Sequence, residues 1–209
     1  MPPLSPIVCT PSTHRAPSRY ANAPPTPSIL HTQPPTEIVP RVYVGDLAAA
    51  ENPQVLATLG VTHVLSAMCG HVALPPSTAL PHLGPHRTLQ RLQLPLQDSP
   101  FSELAAFLPR ATAWIGAALR DPSARVLIHC AQGVSRSASV AAAFLISHYG
   151  CTPDQAVQLV QAKRPCAQPN PGFVSQLGEF YQTVRAGASS GAAAAAGSRG
   201  HSGRSTPAR

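Results

Sequence analysis

Proline is the residue that most restricts where this chain can build regular structure, and it is unevenly spread. Of 25 prolines in 209 residues, ten fall within residues 1–36, among them Pro24-Pro25 and Pro34-Pro35. Each fixes φ and removes a backbone donor, and the Ser and Thr between them leave too few large apolar side chains for a core. Residues 1–36 are therefore expected to be a disordered tail, and the same density argues against the amphipathic helix of a mitochondrial transit peptide. At the other end, the Gly191-Ala192 to Ala196-Gly197 tract and the Ser, Gly and Arg after it are low in complexity, so residues 186–209 read as a second disordered tail. Folding falls to residues 37–185, the length of one ordinary domain.

Dividing the charge the same way narrows the function. The formal net charge is +7, but Arg15, Arg19, Arg199, Arg204 and Arg209 lie in the two ends, which hold no acid; residues 37–185 carry ten basic residues against eight acidic. A domain so near neutrality presents no broad anion-binding face, and nucleic acid is not an expected partner. Neither is a membrane, since Val140 to Ile146 is far too short to span one. The opening residues lack the basic start and apolar stretch of a secretory signal. Five scattered cysteines, Cys9, Cys69, Cys130, Cys151 and Cys166, then read as reduced thiols, and the expected location is the cytoplasm, the nucleus or both. Nothing in these patterns sets an oligomeric state.

Within 37–185, strand and helix signals alternate. Arg41 to Val44 is a short β-prone run, and Asn52-Pro53 opens a helix that Gly60 closes. Thr62 to Ser66 reads as a buried strand, a Pro/His-rich connector follows, and Thr88 to Leu94 alternates as a strand should. Phe101 to Leu119 has a helical period with Pro109 as an expected kink. Arg125 to Ile128 is the next strand. Ser137 to Tyr149 is an Ala-rich helix ended by Gly150, Thr152 and Gln155 are placed for a capping box, and Asn170-Pro171 starts the last helix. Repeated strand–helix order predicts a single α/β domain with a central, mainly parallel sheet flanked by helices.

Directly after the Arg125–Ile128 strand comes His129-Cys130-Ala131-Gln132-Gly133-Val134-Ser135-Arg136-Ser137, and a helix begins there. A strand, a tight loop with a central glycine and a helix N-terminus are the parts that bind a phosphate dianion through backbone N–H groups. Gly133 lets the backbone of Ala131, Gln132, Gly133, Val134 and Ser135 curl onto one anion. Arg136 adds a planar fork for two phosphoryl oxygens. Cys130 sits where converging amides and the helix dipole favour a nucleophilic thiolate. His129 is placed to set the loop by hydrogen bonds, and the Ser137 hydroxyl to donate to the sulfur when it departs. Cys130 alone would read as a small buried hydrophobe and Arg136 alone as a surface charge. Their spacing about the glycine makes them a nucleophile and an anion ligand.

This segment resembles the HC-x5-R signature of the protein tyrosine phosphatase superfamily, and its Gly-Val-Ser-Arg-Ser core resembles the small atypical dual-specificity phosphatases. The likeness extends over about 37–183. Ile38 to Gly45 looks like that family's opening strand, Leu59 to Leu65 like its second, and Pro169 to Leu177 like its closing helix entry, where Asn170 would brace the phosphate loop. The resemblance implies the cysteine-based phosphatase fold, a cysteinyl-phosphate intermediate on Cys130, no metal or other cofactor, and phosphorylated protein as substrate, on both tyrosine and serine/threonine. It also implies a general acid at Asp98, in Leu94 to Phe101, because an oxyanion leaves poorly unless protonated.

Several neighbours have simpler readings. Asp98 before Ser-Pro suits a turn, and Ser137 and Asn170 suit helix caps. Asp121 is the rival acid, but lies in the turn at the opposite end of the nucleophile strand. Cys69, His71, His82 and His86 have no repeated zinc-ligand spacing, the sequence leaves open whether Cys69 is a redox partner of Cys130, and Lys163-Arg164 suits a helix C-terminus, with Arg164 a second anion contact at most. Two other functions stay open: the same chemistry on a phosphoinositide, phosphoglucan or RNA 5′ phosphate, against which the uncharged Ala131, Gln132, Val134 and Ser135 count, and an inactive phosphoprotein-binding module, against which intact Cys130, Arg136 and Asp98 count.

Overall fold

A computed structural model of the chain describes residues 33–197. The expectations for residues 1–32 and 198–209 lie outside the described residues. Five strands, β1 (Thr36–Val39), β2 (Val42–Gly45), β3 (His63–Ala67), β4 (Gln90–Leu94) and β5 (Val126–His129), form one sheet in the order β1-β2-β5-β3-β4. β2, β5, β3 and β4 run parallel, and β1 pairs antiparallel with β2 at the edge. The α/β sheet read from the sequence is present, with one refinement. The stretch Ile38 to Gly45, which resembles one opening strand, is two, folded back on each other at Pro40-Arg41. Arg41 has a left-handed φ of 71° and is held there by a bond from its N–H to Glu37 Oε1 (2.7 Å) and by guanidinium bonds to the Leu119 and Asp121 carbonyls.

Alternation along the strands sorts the core into two layers. Val42, Val44, Leu65, Leu92, Leu94, Val126 and Ile128 face α3 (Leu108–Ala118), α4 (Arg136–Tyr149), α5 (Pro153–Lys163) and α6 (Pro171–Gly197). Tyr43, Val64 and Leu127 face the opposite side, packed by α1 (Leu47–Glu51), α2 (Pro53–Leu59) and the connector before β4, which holds 3₁₀ turns at Ser77–Ala79 and Pro81–Leu83. α4 lies at the centre, and Ser137 through Ile146 are all buried; a helix enclosed on every side needs small residues where its neighbours approach, which Ala141, Ala142 and Ala143 supply.

Local signals fixed most helix boundaries. Asn52 caps α2 by accepting from Gln54 and Val55, and Gly60 (φ 65°) ends it. Thr152 and Gln155 close a reciprocal capping box on α5. One expectation needs correction. Pro109 kinks nothing: α3 begins at Leu108, so proline occupies its first turn, where no intrahelical partner is lost; Ser102 to Phe107 ahead of it are not helical, with a turn at Ala105 to Phe107. The last helix, α6, runs from Pro171 through the Ala-rich run to Gly197, consistent with alanine's intrinsic preference for helix.

Candidate active site

The parallel register sets the site. Gly45 and His129, the last residues of β2 and β5, stand in one row with Ser66 near the end of β3, and the chain leaves β5 at Cys130 to curl into α4. His129 is fully buried, its Nε2 2.7 Å from Ser66 Oγ and its Nδ1 3.4 Å from the Cys130 carbonyl oxygen. A carbonyl only accepts, so Nδ1 carries the ring proton and the Ser66 hydroxyl donates to Nε2. Burial pushes the His129 ring down to about 4, opposed by its bond to the Cys130 carbonyl. The neutral ring thus ties the Cys130 peptide to the sheet.

Cys130 Sγ is met by two groups, the Gly133 N–H donating at 3.2 Å and Ser137 Oγ at 3.3 Å. That donor geometry requires Gly133 to adopt a φ of 68°, and a Cβ there would lie 2.6 Å from the Gly45 carbonyl oxygen. Only glycine permits both. Arg164 holds the loop from behind: Nε donates to the Gly133 carbonyl (2.8 Å), and Nη1 to the Pro34 carbonyl and Thr36 Oγ1 (both 3.0 Å). It is 1% exposed. Arg164 is therefore neither the second anion contact nor the helix-dipole charge that its sequence position suggested. Further backbone bonds fix two more of the loop's carbonyls, Ala131 to Leu47 N–H and Val134 to Gln168 N–H, while Ala131 and Gln132 are exposed.

Arg136 opens α4 and reaches the loop that carries Asp98. Its Nη1 donates to the Leu96 carbonyl at 3.3 Å, and its Nε lies 3.6 Å from Asp98 Oδ2. That Nε is buried with no hydrogen-bond acceptor among the described residues. A guanidinium N–H left so is costly, and a phosphoryl oxygen is the acceptor that suits it. Asp98 Oδ1 in turn accepts from Ser135 Oγ (2.7 Å) and Asn170 Nδ2 (2.9 Å), while Ser135 Oγ accepts from Asn170 N–H (3.1 Å) and Asn170 Oδ1 caps Phe173 N–H. Asn170 is both helix cap and brace. Asp98, Ser135, Arg136 and Asn170 meet although they stand up to 72 positions apart.

Asp121 stays at the far end of β5, bound to Ser123 and 3.4 Å from Arg87. His82 turns to the Val61 carbonyl, and among the described residues no three His, Cys, Asp or Glu side chains stand close enough to hold a metal ion. Nor is any described helix long and apolar enough to cross a membrane. Sequence reasoning missed Ser66 and the side-chain role of Ser135, because both act through partners distant in the chain.

Residues 42–183 match the family model for the dual specificity phosphatase catalytic domain. The chain belongs to that family. Within this dual specificity phosphatase family it is 38% identical to human dual specificity protein phosphatase 13B over 141 residues, 68% of this chain and 69% of the relative. It is 34% identical to human dual specificity phosphatase 28 over 154 residues, 73% of this chain and 81% of that protein. The solved structure of a mouse putative dual specificity phosphatase, complexed with zinc tungstate, aligns with a TM-score of 0.65 and 30% identity, covering 85% of this chain and 97% of that one. The dual specificity phosphatase fold and the cysteine-based phosphatase class expected from Cys130 and Arg136 are those of its relatives.

Proposed function

We propose that this chain hydrolyses phosphotyrosine and phosphoserine/phosphothreonine in proteins through a phosphorylated Cys130. The observation that carries the reading is the sulfur held between Gly133 N–H and Ser137 Oγ, in a loop whose Arg136 leans on the segment bearing Asp98. The backbone N–H groups of Ala131 to Ser135 and the guanidinium of Arg136 bind the phosphoryl oxygens and hold them as charge moves in the transition state. The Cys130 thiolate attacks phosphorus as the bond to the ester oxygen breaks, and Asp98 gives that oxygen its proton. Water then attacks the cysteinyl phosphate, Asp98 takes a proton from it, and inorganic phosphate leaves with the sulfur restored as thiolate, stabilised by Ser137 and Gly133 N–H.

In support of that role for Asp98, Ser135 and Asn170 hold one of its carboxylate oxygens and leave Oδ2 on the side of Arg136. The test is hydrolysis of phosphotyrosine and phosphothreonine peptides, phosphoinositides and triphosphorylated RNA by the wild type and Cys130→Ser. Turnover of both peptides by the wild type alone is expected. Turnover confined to lipid or RNA moves the substrate class, and no Cys130-dependent turnover leaves a binding module.

A further inference from the structure

One side chain beside the site is unaccounted for by this chemistry. Phe101 is 94% exposed, whereas Val174, the next most exposed large apolar residue described, is 37% exposed. Single exposed apolar residues are ordinary, but this ring is not out through slack in its loop. Ahead of it Asp98 is fixed by Ser135 and Asn170. Around it, Ser99 forms a turn by accepting Phe101 N–H at its hydroxyl and Ser102 N–H at its carbonyl. Behind it, Gln176 of α6 donates to the Ser102 carbonyl and accepts from Ala105 N–H. At Pro100 the loop lies so close to α6 that a side chain on Gly172 would run into the Pro100 carbonyl. Leu104 and Leu108, just after it, are fully buried. The loop thus buries what it can and holds Phe101 out.

We propose that Phe101 is a substrate-docking residue whose ring receives an apolar side chain lying within three residues of the phosphorylated residue of a protein substrate. The inference rests on the phosphoprotein reading above and specifies its sequence preference. The distance sets the spacing: Phe101 is three positions from Asp98, which puts their Cα atoms no more than about 10 Å apart, and an extended substrate covers that in about three residues at ~3.3 Å each. The chemistry sets the partner. A rigid aromatic ring held in solvent loses little freedom on binding and gains by covering apolar surface. Ala131 and Gln132, the exposed residues that follow Cys130, carry no charge to select a flank electrostatically.

The test is kcat/KM for a set of phosphotyrosine peptides in which leucine or serine occupies each of the three positions on either side of the phosphoresidue. Wild type, Phe101→Ser, Phe101→Leu and Cys130→Ser are compared. At one position or more the wild type is expected to favour leucine over serine by about tenfold, mainly through KM. Phe101→Ser should bring that ratio close to one and Phe101→Leu should keep most of it; the exposed ring makes no contribution to the core, so both variants fold. Absence of a leucine preference at every position, or its survival in Phe101→Ser, overturns the proposal while the phosphatase reading stands. If no peptide is hydrolysed in a Cys130-dependent manner, the substrate reading falls and this inference falls with it.

Discussion

Replacing Gly133 by alanine tests whether backbone geometry, rather than the mere presence of Cys130 and Arg136, makes this site. Two costs follow from the structure. The left-handed φ of 68° costs a residue with a Cβ about 1–2 kcal/mol. The new methyl would also lie 2.6 Å from the Gly45 carbonyl oxygen and 2.8 Å from Arg164 Nη2, so the loop has to move by roughly half an ångström or more to reach ordinary contact distance. Gly45 is in β2 and cannot yield easily, and Arg164 is fixed by three other bonds. The loop therefore gives way, taking with it the Gly133 N–H that meets Cys130 Sγ. We expect about 2–4 kcal/mol less stability and a fall of roughly a hundredfold in kcat on p-nitrophenyl phosphate, the usual consequence of misplacing reacting groups by such distances. Urea unfolding and steady-state kinetics of Gly133→Ala measure the two effects. Activity within threefold of wild type would refute the reasoning.

Three further perturbations follow. Arg164→Met should lower stability by about 2–4 kcal/mol, because the carbonyls of Gly133 and Pro34 and the hydroxyl of Thr36 lose a charged donor in a buried setting; Lys should not rescue it, having no planar fork to reach all three, and an urea midpoint equal to wild type would contradict this. Asp98→Asn keeps an oxygen for Ser135 and Asn170 but has no proton to give, so hydrolysis of phosphoserine peptides should fall by about 10²-fold or more and of p-nitrophenyl phosphate, whose leaving group needs less help, by clearly less; equal losses would remove Asp98 from the acid role. His129, held down to about 4 by burial, is neutral in the folded state while an unfolded chain takes up its proton near 6.5. Its stabilising effect is complete above about pH 6.5 and is lost as pH falls toward 4, amounting to roughly 3 kcal/mol; nitrogen NMR shifts should show a neutral His129 ring at pH 5.5, and titration near 6.5 would contradict the buried environment. Burial lowers His63 and His148 in the same direction.

What could be read from the sequence was what neighbouring residues decide among themselves. Cys130, Gly133, Arg136 and Ser137 lie within eight positions, so strand, loop and helix start were visible together, and Asn52, Gly60, Gly150, Thr152 and Gln155 marked helix ends by local bonding. Pro109 misled because a proline that starts a helix and one that kinks it look alike until the preceding turns are known. α1 passed unnoticed although Asp46 caps it, since five residues carry too little period. Arg164 was misread for a deeper reason: nothing beside it in sequence reveals that Gly133, Pro34 and Thr36 converge on it from 31 to 130 positions away. The Ser66 bond to His129 and the junction of Ser135 with Asp98 and Asn170 belong to the same class of contact, set by sheet order and by where α6 enters.

The central claim is that phosphate passes through Cys130. The most direct measurement is acid quench of the wild type and Asp98→Asn during turnover of a phosphotyrosine peptide, followed by mass spectrometry of the Cys130 peptide. Phosphate on Cys130 sulfur in both, and none on any residue in Cys130→Ser, is the expected result; steady turnover with Cys130 unmodified at every quench time, or phosphate on another side chain, would contradict it.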